Sequence, residues 1–259
     1  MNGNEAVRVV VTPRDLRFLQ TLTEAKLLDR EQFQVVAGIQ RVNRANDRLL
    51  RLYSAGLLRR HFTGTIAGGR KALYSLSTRG AKLIGKEKVW KFQHPEDELL
   101  IGDGFAAHQA AVNRIWMEAK YQHPASAESL RWITFNEPLT EAIPLVPDGF
   151  FSFRIYGETR AHFLEVDLGT ESGKVWERKV ELYVKLATSS DVLAQLFGLS
   201  RFRVLVTAPT ERRLNNIRAI VRKHTNKLFF FLDFKTINCD GIFRARWARP
   251  SGEERQSLI

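Results

Sequence analysis

The chain has 259 residues, 44% of them hydrophobic, which suits two modest domains or one large one with real cores. Its 40 Lys and Arg outnumber 28 Asp and Glu for a net charge of +12, so an anionic partner is expected, and no apolar run of about 18 residues exists, so no membrane span is expected. The one cysteine, Cys239, excludes an intramolecular disulfide and a cysteine-rich metal site and fits a reducing cytoplasm, and Met1 to Val11 lacks the pattern of a signal peptide.

The charge is segregated. Residues 1–94 carry 18 Lys and Arg against 7 Asp and Glu, a net of +11, whereas residues 95–259 carry 22 against 21. A surplus confined to one segment marks a local polyanion-binding surface. Nucleic acid is the commonest such partner; an anionic membrane surface is the lesser alternative.

Thr12-Pro13-Arg14-Asp15 opens the first predicted helix. Thr12 can cap, Pro13 suits the first helical position and Asp15 stands where a capping-box acid belongs. Leu16, Leu19 and Leu22 continue it as an apolar stripe. Asp29 reads as a second N-cap, before Phe33, Val35 and Val36 in a short helix. A third helix is predicted from about Arg41 to Ala55, with Val42, Leu49, Leu50 and Tyr53 as its apolar side and Gly56 as its stop. Its other side carries Arg41, Asn43, Arg44, Asn46, Arg48 and Arg51. Leu57 to Phe62 and Lys71 to Leu76 alternate as a hairpin, with Gly64, Gly68 and Gly69 in the turn and Arg70 and Lys71 near the tip. Ser77-Thr78 caps a closing helix to about Lys86.

Three helices, a hairpin with a basic tip and a closing helix describe a winged helix-turn-helix. Its third helix enters the major groove, and its hairpin lies along the backbone or minor groove. Arg pairs bidentately with guanine and Asn with adenine, while other Lys and Arg neutralise phosphate. The expected partner is double-stranded DNA, contacted by Arg41, Asn43, Arg44, Asn46, Arg48, Arg51, Arg70 and Lys71. A merely solvated basic helix, and a face used for dimerisation or protein binding, are the competing readings.

Over Lys91 to Glu98 the charge changes sign and Pro95 breaks the periodicity, which places a domain boundary near residue 95. The DNA-binding domain is thus expected over 1–94 and an α/β domain over 95–259. The second domain begins with a helix from Phe105 to Tyr121 that carries His108 and Asn113. Arg131 to Phe135 is strand-like. Pro147-Asp148-Gly149 leads into a hairpin of Phe150 to Tyr156 and His162 to Asp167, turning at Gly157-Glu158-Thr159. Gly169-Thr170-Glu171-Ser172 opens a helix to about Ala187, with Trp176, Val180, Tyr183 and Val184 at helical spacing. A strand (Phe202 to Thr207), a helix (Glu211 to His224) and a strand (Leu228 to Phe234) follow. The class is α/β, α+β overall: a mixed sheet with helices against it.

This order, with acids at these places, resembles the PD-(D/E)xK nuclease fold. The resemblance implies that Asp148 and Glu165 hold Mg²⁺, helped by the Val166 carbonyl, with Asp167 and Lys179 completing a catalytic set. Mg²⁺ suits oxygen ligands and an incomplete protein shell, and it can activate water against a phosphodiester. The pattern usually has lysine two residues after the second acid, where this chain has Asp167; Lys174 or Lys179 could reach back from the following helix. Over a longer stretch, from Thr12 to Leu83 and through Pro147-Asp148-Gly149, Phe163 to Glu171, and Lys179 with Tyr183, the chain resembles the replication-relaxation family of plasmids and other mobile elements. His108 and Asn113 match polar places in it. The resemblance implies DNA association in replication, mobilisation or its regulation.

Each acid has a second reading. Asp148 could only shape a turn, Glu165 and Asp167 could be exposed strand acids on one face, and Glu171 reads best as a cap for the next helix. His108 reads as a packing residue, and His162 receives no role. Three functions remain open: a DNA-binding protein with a nuclease-like second domain, a Mg²⁺-dependent endonuclease or nickase, and a regulator whose inactive second domain dimerises or binds a protein.

Overall fold

The structure, a computed structural model, describes residues 9–64, 69–87, 103–252 and 255–259. Gly68 and the change of charge from Lys91 to Glu98 lie outside the described residues. The chain divides into two compact units, Met1–Asn113 and Arg114–Ile259.

In the first unit, α1 (Pro13–Ala25) begins on the predicted capping box: the Thr12 N–H donates to the Asp15 carboxylate at 2.6 Å, and the Asp15 N–H donates back to Thr12 Oγ1 at 3.4 Å. β1 (Leu28–Asp29) leads to α2 (Arg30–Ala37), which has a second such box between Asp29 and Gln32 and ends at Gly38 with φ 63°. α3 (Val42–Ser54), β2 (Leu58–Gly64), β3 (Arg70–Leu76) and α4 (Thr78–Leu83), capped by Ser77, follow. The strands form a sheet of order β1-β3-β2, antiparallel throughout. This order of elements is consistent with a winged helix-turn-helix.

The buried stripe of α3 is Ala45, Leu49 and Leu52, at spacings of four and three. Val42 and Leu50, expected on the apolar side, are exposed instead, as are Leu16 on α1 and Val35 on α2. The core gathers Phe18, Leu19, Leu22 and Phe33 around that stripe, and the Phe18 and Phe33 rings meet edge to face at 4.5 Å. Gly80 is fixed by contact: a Cβ there would stand 2.2 Å from the Leu57 carbonyl oxygen.

The division between the units falls within α5 (Asp103–Tyr121). Then come β4 (Glu128–Ile133), β5 (Gly149–Ile155), β6 (Glu158–Val166), α6 (Gly173–Thr188), α7 (Ser190–Phe197), β7 (Arg203–Ala208), α8 (Glu211–Val221), β8 (Phe229–Asp233), α9 (Phe234–Arg244), β9 (Trp247–Ala248) and β10 (Arg255–Gln256). The sheet runs β10-β9-β8-β7-β6-β5-β4; β6, β7 and β8 are parallel and the other pairings antiparallel. The protein is α+β overall with a mixed sheet, as the sequence predicts. The sequence reading lacks β1, α7, α9, β9 and β10.

One face of the sheet packs Phe150, Phe163, Val204 and Val206 against Trp176, Val180 and Tyr183 of α6 and Leu214 and Ile217 of α8. Alternation along β6 puts Glu165 on the same face as Phe163 and directs the following Asp167 there too. The opposite face carries Phe151 and Phe153, whose rings stack on His162 at 5.0 and 5.6 Å. Among the described residues no helix is long and apolar enough to cross a membrane.

Candidate functional site

Of the residues expected to read DNA, Arg41, Asn43, Arg44, Asn46 and Arg51 are exposed on α3 or at its start. Arg48 is not presented with them. Its Nε donates to Asp15 Oδ1 at 2.8 Å, its Nη2 donates to the Val10 carbonyl at 2.7 Å, and the same nitrogen pairs with Asp15 Oδ2. Asp15 is buried, which works against its charge, but Arg48 and Thr12 outweigh that and hold its carboxyl below the usual range. Arg48 therefore ties α3 to the first turn of α1. At the hairpin, Arg70 is exposed beside the tip, and Lys71 Nζ pairs with Asp29 Oδ2 at 2.6 Å.

The α3 surface continues into an open groove of about 750 Å³ whose lining includes Arg14, Arg17, Arg41, Arg44 and Arg48. The sequence reading missed Arg14 and Arg17. Their signal was local: two arginines three apart, one inside the capping box and one just after it, share an outer face of α1. Arg41 makes no side-chain cap at the start of α3, so no side chain there satisfies the N–H groups of its first turn.

In the second unit, the turn before β5 brings Asp148 against β6. Its N–H donates to the Leu164 carbonyl at 3.1 Å, and its Oδ2 accepts the Val166 N–H at 2.7 Å, bracketing Glu165. Glu165 is fully buried. Lys179 Nζ donates to its Oε2 at 2.8 Å and Tyr183 Oη donates to its Oε1 at 2.5 Å, both from α6. Burial pushes the Glu165 carboxyl up to about 7; Lys179 works the other way, and Asp148 adds to the rise. Burial opposes the charge on Lys179, but Glu165, Asp148 and Glu171 more than offset it, so its ammonium is held above the usual lysine range. Lys179 also reaches Glu171 Oε1 at 2.7 Å, and its Nζ lies 5.3 Å from the Trp176 ring centroid.

Asp167 belongs to a different set of contacts. Its Oδ1 accepts from the Gly169 N–H at 2.6 Å and Arg213 Nε at 2.8 Å; its Oδ2 accepts from Trp176 Nε1 at 2.6 Å and Arg213 Nη2 at 2.7 Å. Burial raises its carboxyl, but Arg213 and Trp176 prevail and lower it. Glu165 and Asp167 thus share a face as expected, but they are buried, not exposed strand acids. Glu171, read as a helix cap, is bonded to Lys179; the cap of α6 is Ser172, which accepts the Val175 N–H. Asn113 is buried within the first unit, where it donates to the Leu27 carbonyl and accepts from Gln109 Nε2 at 2.9 Å.

The arrangement does not fit Mg²⁺ as it stands. Both Glu165 oxygens accept bonds from donors, one of them the Lys179 ammonium, which supplies the positive charge a metal would supply. Asp167 is directed to Arg213. Among the described residues no group of three or more His, Cys, Asp or Glu could hold a metal ion. The cluster instead holds a buried carboxyl, raised by burial, between an ammonium and a phenol hydroxyl.

A unit of helices and a small antiparallel sheet, followed by a mixed-sheet α+β unit with an acid–lysine cluster at the end of β6, defines the class of this protein. The chain belongs to the replication-relaxation family, whose model matches residues 19–199. No curated protein and no solved structure matches it.

Proposed function

We propose that this chain binds double-stranded DNA through its first unit and serves the replication or mobilisation of a plasmid or other mobile element, or their regulation. The observation that carries the reading is the exposed row Arg41, Asn43, Arg44, Asn46 and Arg51 running into a groove shared with Arg14 and Arg17. Arginine and asparagine on an exposed helix can read base edges, and a flanking arginine groove can fix register on phosphates. Binding to a labelled duplex, measured by anisotropy across a salt series, tests it. Log affinity should fall steeply and linearly with log salt, and Arg44→Ala should weaken binding by about 1–3 kcal/mol if the contact is to a base. Affinity that ignores salt, or is unchanged by both Arg14→Ala and Arg44→Ala, would sink the reading.

A second reading, a Mg²⁺-dependent DNA endonuclease, is favoured by one observation: Lys179 reaches back from α6 to Glu165, next to Asp148. It requires Lys179 and Tyr183 to release Glu165 before a metal binds. Mg²⁺-dependent cleavage of plasmid DNA that Asp148→Ala abolishes, in a variant still binding DNA, would support it. Absence of cleavage with Mg²⁺ and with Mn²⁺ leaves a second unit that serves dimerisation or protein contact.

A further inference from the structure

The first strands of the parallel set begin in a cluster of arginines that the DNA-binding reading does not use. Arg160 stands near the start of β6, Arg203 opens β7, and Arg201 precedes it. Together with Gln256 they line a half-open pocket of about 390 Å³. The acids near them do not balance the charge. Arg201 pairs with the exposed Glu158 at 3.4 Å. Arg160 donates to the Leu258 carbonyl at 2.6 Å. Arg203 has the amide of Gln256, whose oxygen, in the orientation that satisfies both partners, accepts from Nη1 at 2.7 Å. Burial, then Arg160, Arg249 and Arg201, lower the Arg203 pKa below the usual arginine value, as mutual repulsion among like charges requires.

Two arginines at this end meet an aromatic ring. The Arg203 guanidinium lies 4.9 Å from the Phe230 ring centroid, and that of Arg249 lies 5.5 Å from the same centroid. The floor is His162, fully buried, register partner of Arg203 and stacked on Phe151 and Phe153. Neither of its ring nitrogens has a hydrogen-bond partner among the described residues. Buried polar groups almost always have one, and this orphan lies beside arginines whose charge Glu158 balances only in part. Burial and the neighbouring Arg203 and Arg160 push His162 down to about 3, so the ring is neutral and offers one N–H.

We infer that this pocket is a phosphate-binding site: Arg160, Arg201 and Arg203 converge on a phosphoryl group above the His162 ring, at the opposite end of β6 from Glu165. Planar guanidinium forks match phosphate oxygens bidentately, and a volume of about 390 Å³ admits free phosphate or a mononucleotide. The two sources share this chemistry and differ in affinity.

Calorimetric titration of the full chain with inorganic phosphate and with adenosine 5′-monophosphate, at constant ionic strength, tests the site. Saturable one-site binding is expected, weakened about tenfold in Arg203→Gln. The half-buried Arg203 risks the fold, so Arg201→Gln, at an exposed side chain, is the second variant and should weaken binding several-fold. Lys223→Gln, an exposed residue after α8, removes the same charge elsewhere and should have no effect. His162→Phe keeps the aromatic stack and should lose affinity with the fold intact. Tighter binding of the nucleotide than of phosphate assigns a nucleotide ligand; equal affinity assigns phosphate itself. No saturable binding of either probe up to about 10 mM, or equal losses in Arg201→Gln and Lys223→Gln, would overturn the site.

Discussion

Arg48→Ala separates a structural arginine from the reading arginines on the same helix. The substitution removes the Nε and Nη2 contacts to Asp15 and the bond to the Val10 carbonyl, and leaves Asp15 buried. Breaking a buried pair from one side costs about 3–5 kcal/mol. Asp15 keeps the Thr12 N–H and hydroxyl, so the lower end, about 3 kcal/mol, applies here. Hydrogen exchange read by mass spectrometry over residues 13–25 and 42–54 should then lose protection by on the order of 100-fold. Arg44→Ala, at an exposed position, should change protection little, within about 0.5 kcal/mol, while DNA affinity falls. The pH dependence has a definite sign. The folded Asp15 pKa is depressed, so its stabilisation is present above the ordinary carboxylate pKa of about 4 and is lost as pH falls through the folded value. Arg48→Ala should flatten that acid loss. Unchanged protection in Arg48→Ala, with weakened DNA binding, would refute this assignment and return Arg48 to the reading face.

Glu165→Gln should alter stability in the opposite pH window. Its folded pKa, about 7, lies above the unfolded carboxylate value, so the stability tied to its protonated form is complete in acid and lost as pH rises through about 7. The glutamine variant should show a flatter decline between pH 5 and 8 in urea denaturation, and an unchanged slope would count against a raised Glu165. Arg213→Ala strands the buried Asp167 with only the Gly169 and Trp176 N–H groups and should cost about 3 kcal/mol by the same denaturation. Wild-type stability in that variant would show that Asp167 does not depend on the ion pair. Gly80→Ala drives a methyl group to 2.2 Å from the Leu57 carbonyl oxygen and should destabilise the first unit by about 1–3 kcal/mol; a neutral result by hydrogen exchange would mean that the Leu57 backbone yields freely.

Features encoded within a few residues were legible in the sequence. The Thr12–Asp15 capping box and the Asp29 N-cap each join partners three residues apart, and the β5–β6 hairpin turns at Gly157, whose φ is 80°. The acid face of β6 followed from alternation alone. Lys179 was expected to reach back from the following helix, but two other partners of those acids were not legible: Tyr183 lies 18 residues from Glu165, and Arg213 lies 46 from Asp167. Only the packing of α6 and α8 against the sheet chooses them. Arg48 shows the same limit, because its spacing on α3 matched its neighbours and its partner on α1, 33 residues away, was invisible. α7 and α9 escaped for local reasons. α7 has eight residues, and α9 contains Gly241 at φ 71°, which interrupts the helical period. β9 and β10, at two residues each, carry no alternation to read.

The charges at the two ends of β6 make the larger unit electrically polar along one strand. Arg160, Arg201, Arg203 and Arg249 gather at one end around Glu158; Asp148, Glu165, Asp167 and Glu171 gather at the other around Lys179 and Arg213. From Arg160 to Glu165 the strand rises about 16 Å, roughly twice the screening length at physiological salt. At that separation the two ends act on an anion as separate sites, and only the arginine end carries an excess of positive charge. DNA that reached Glu165 would have to be delivered there by something other than long-range attraction.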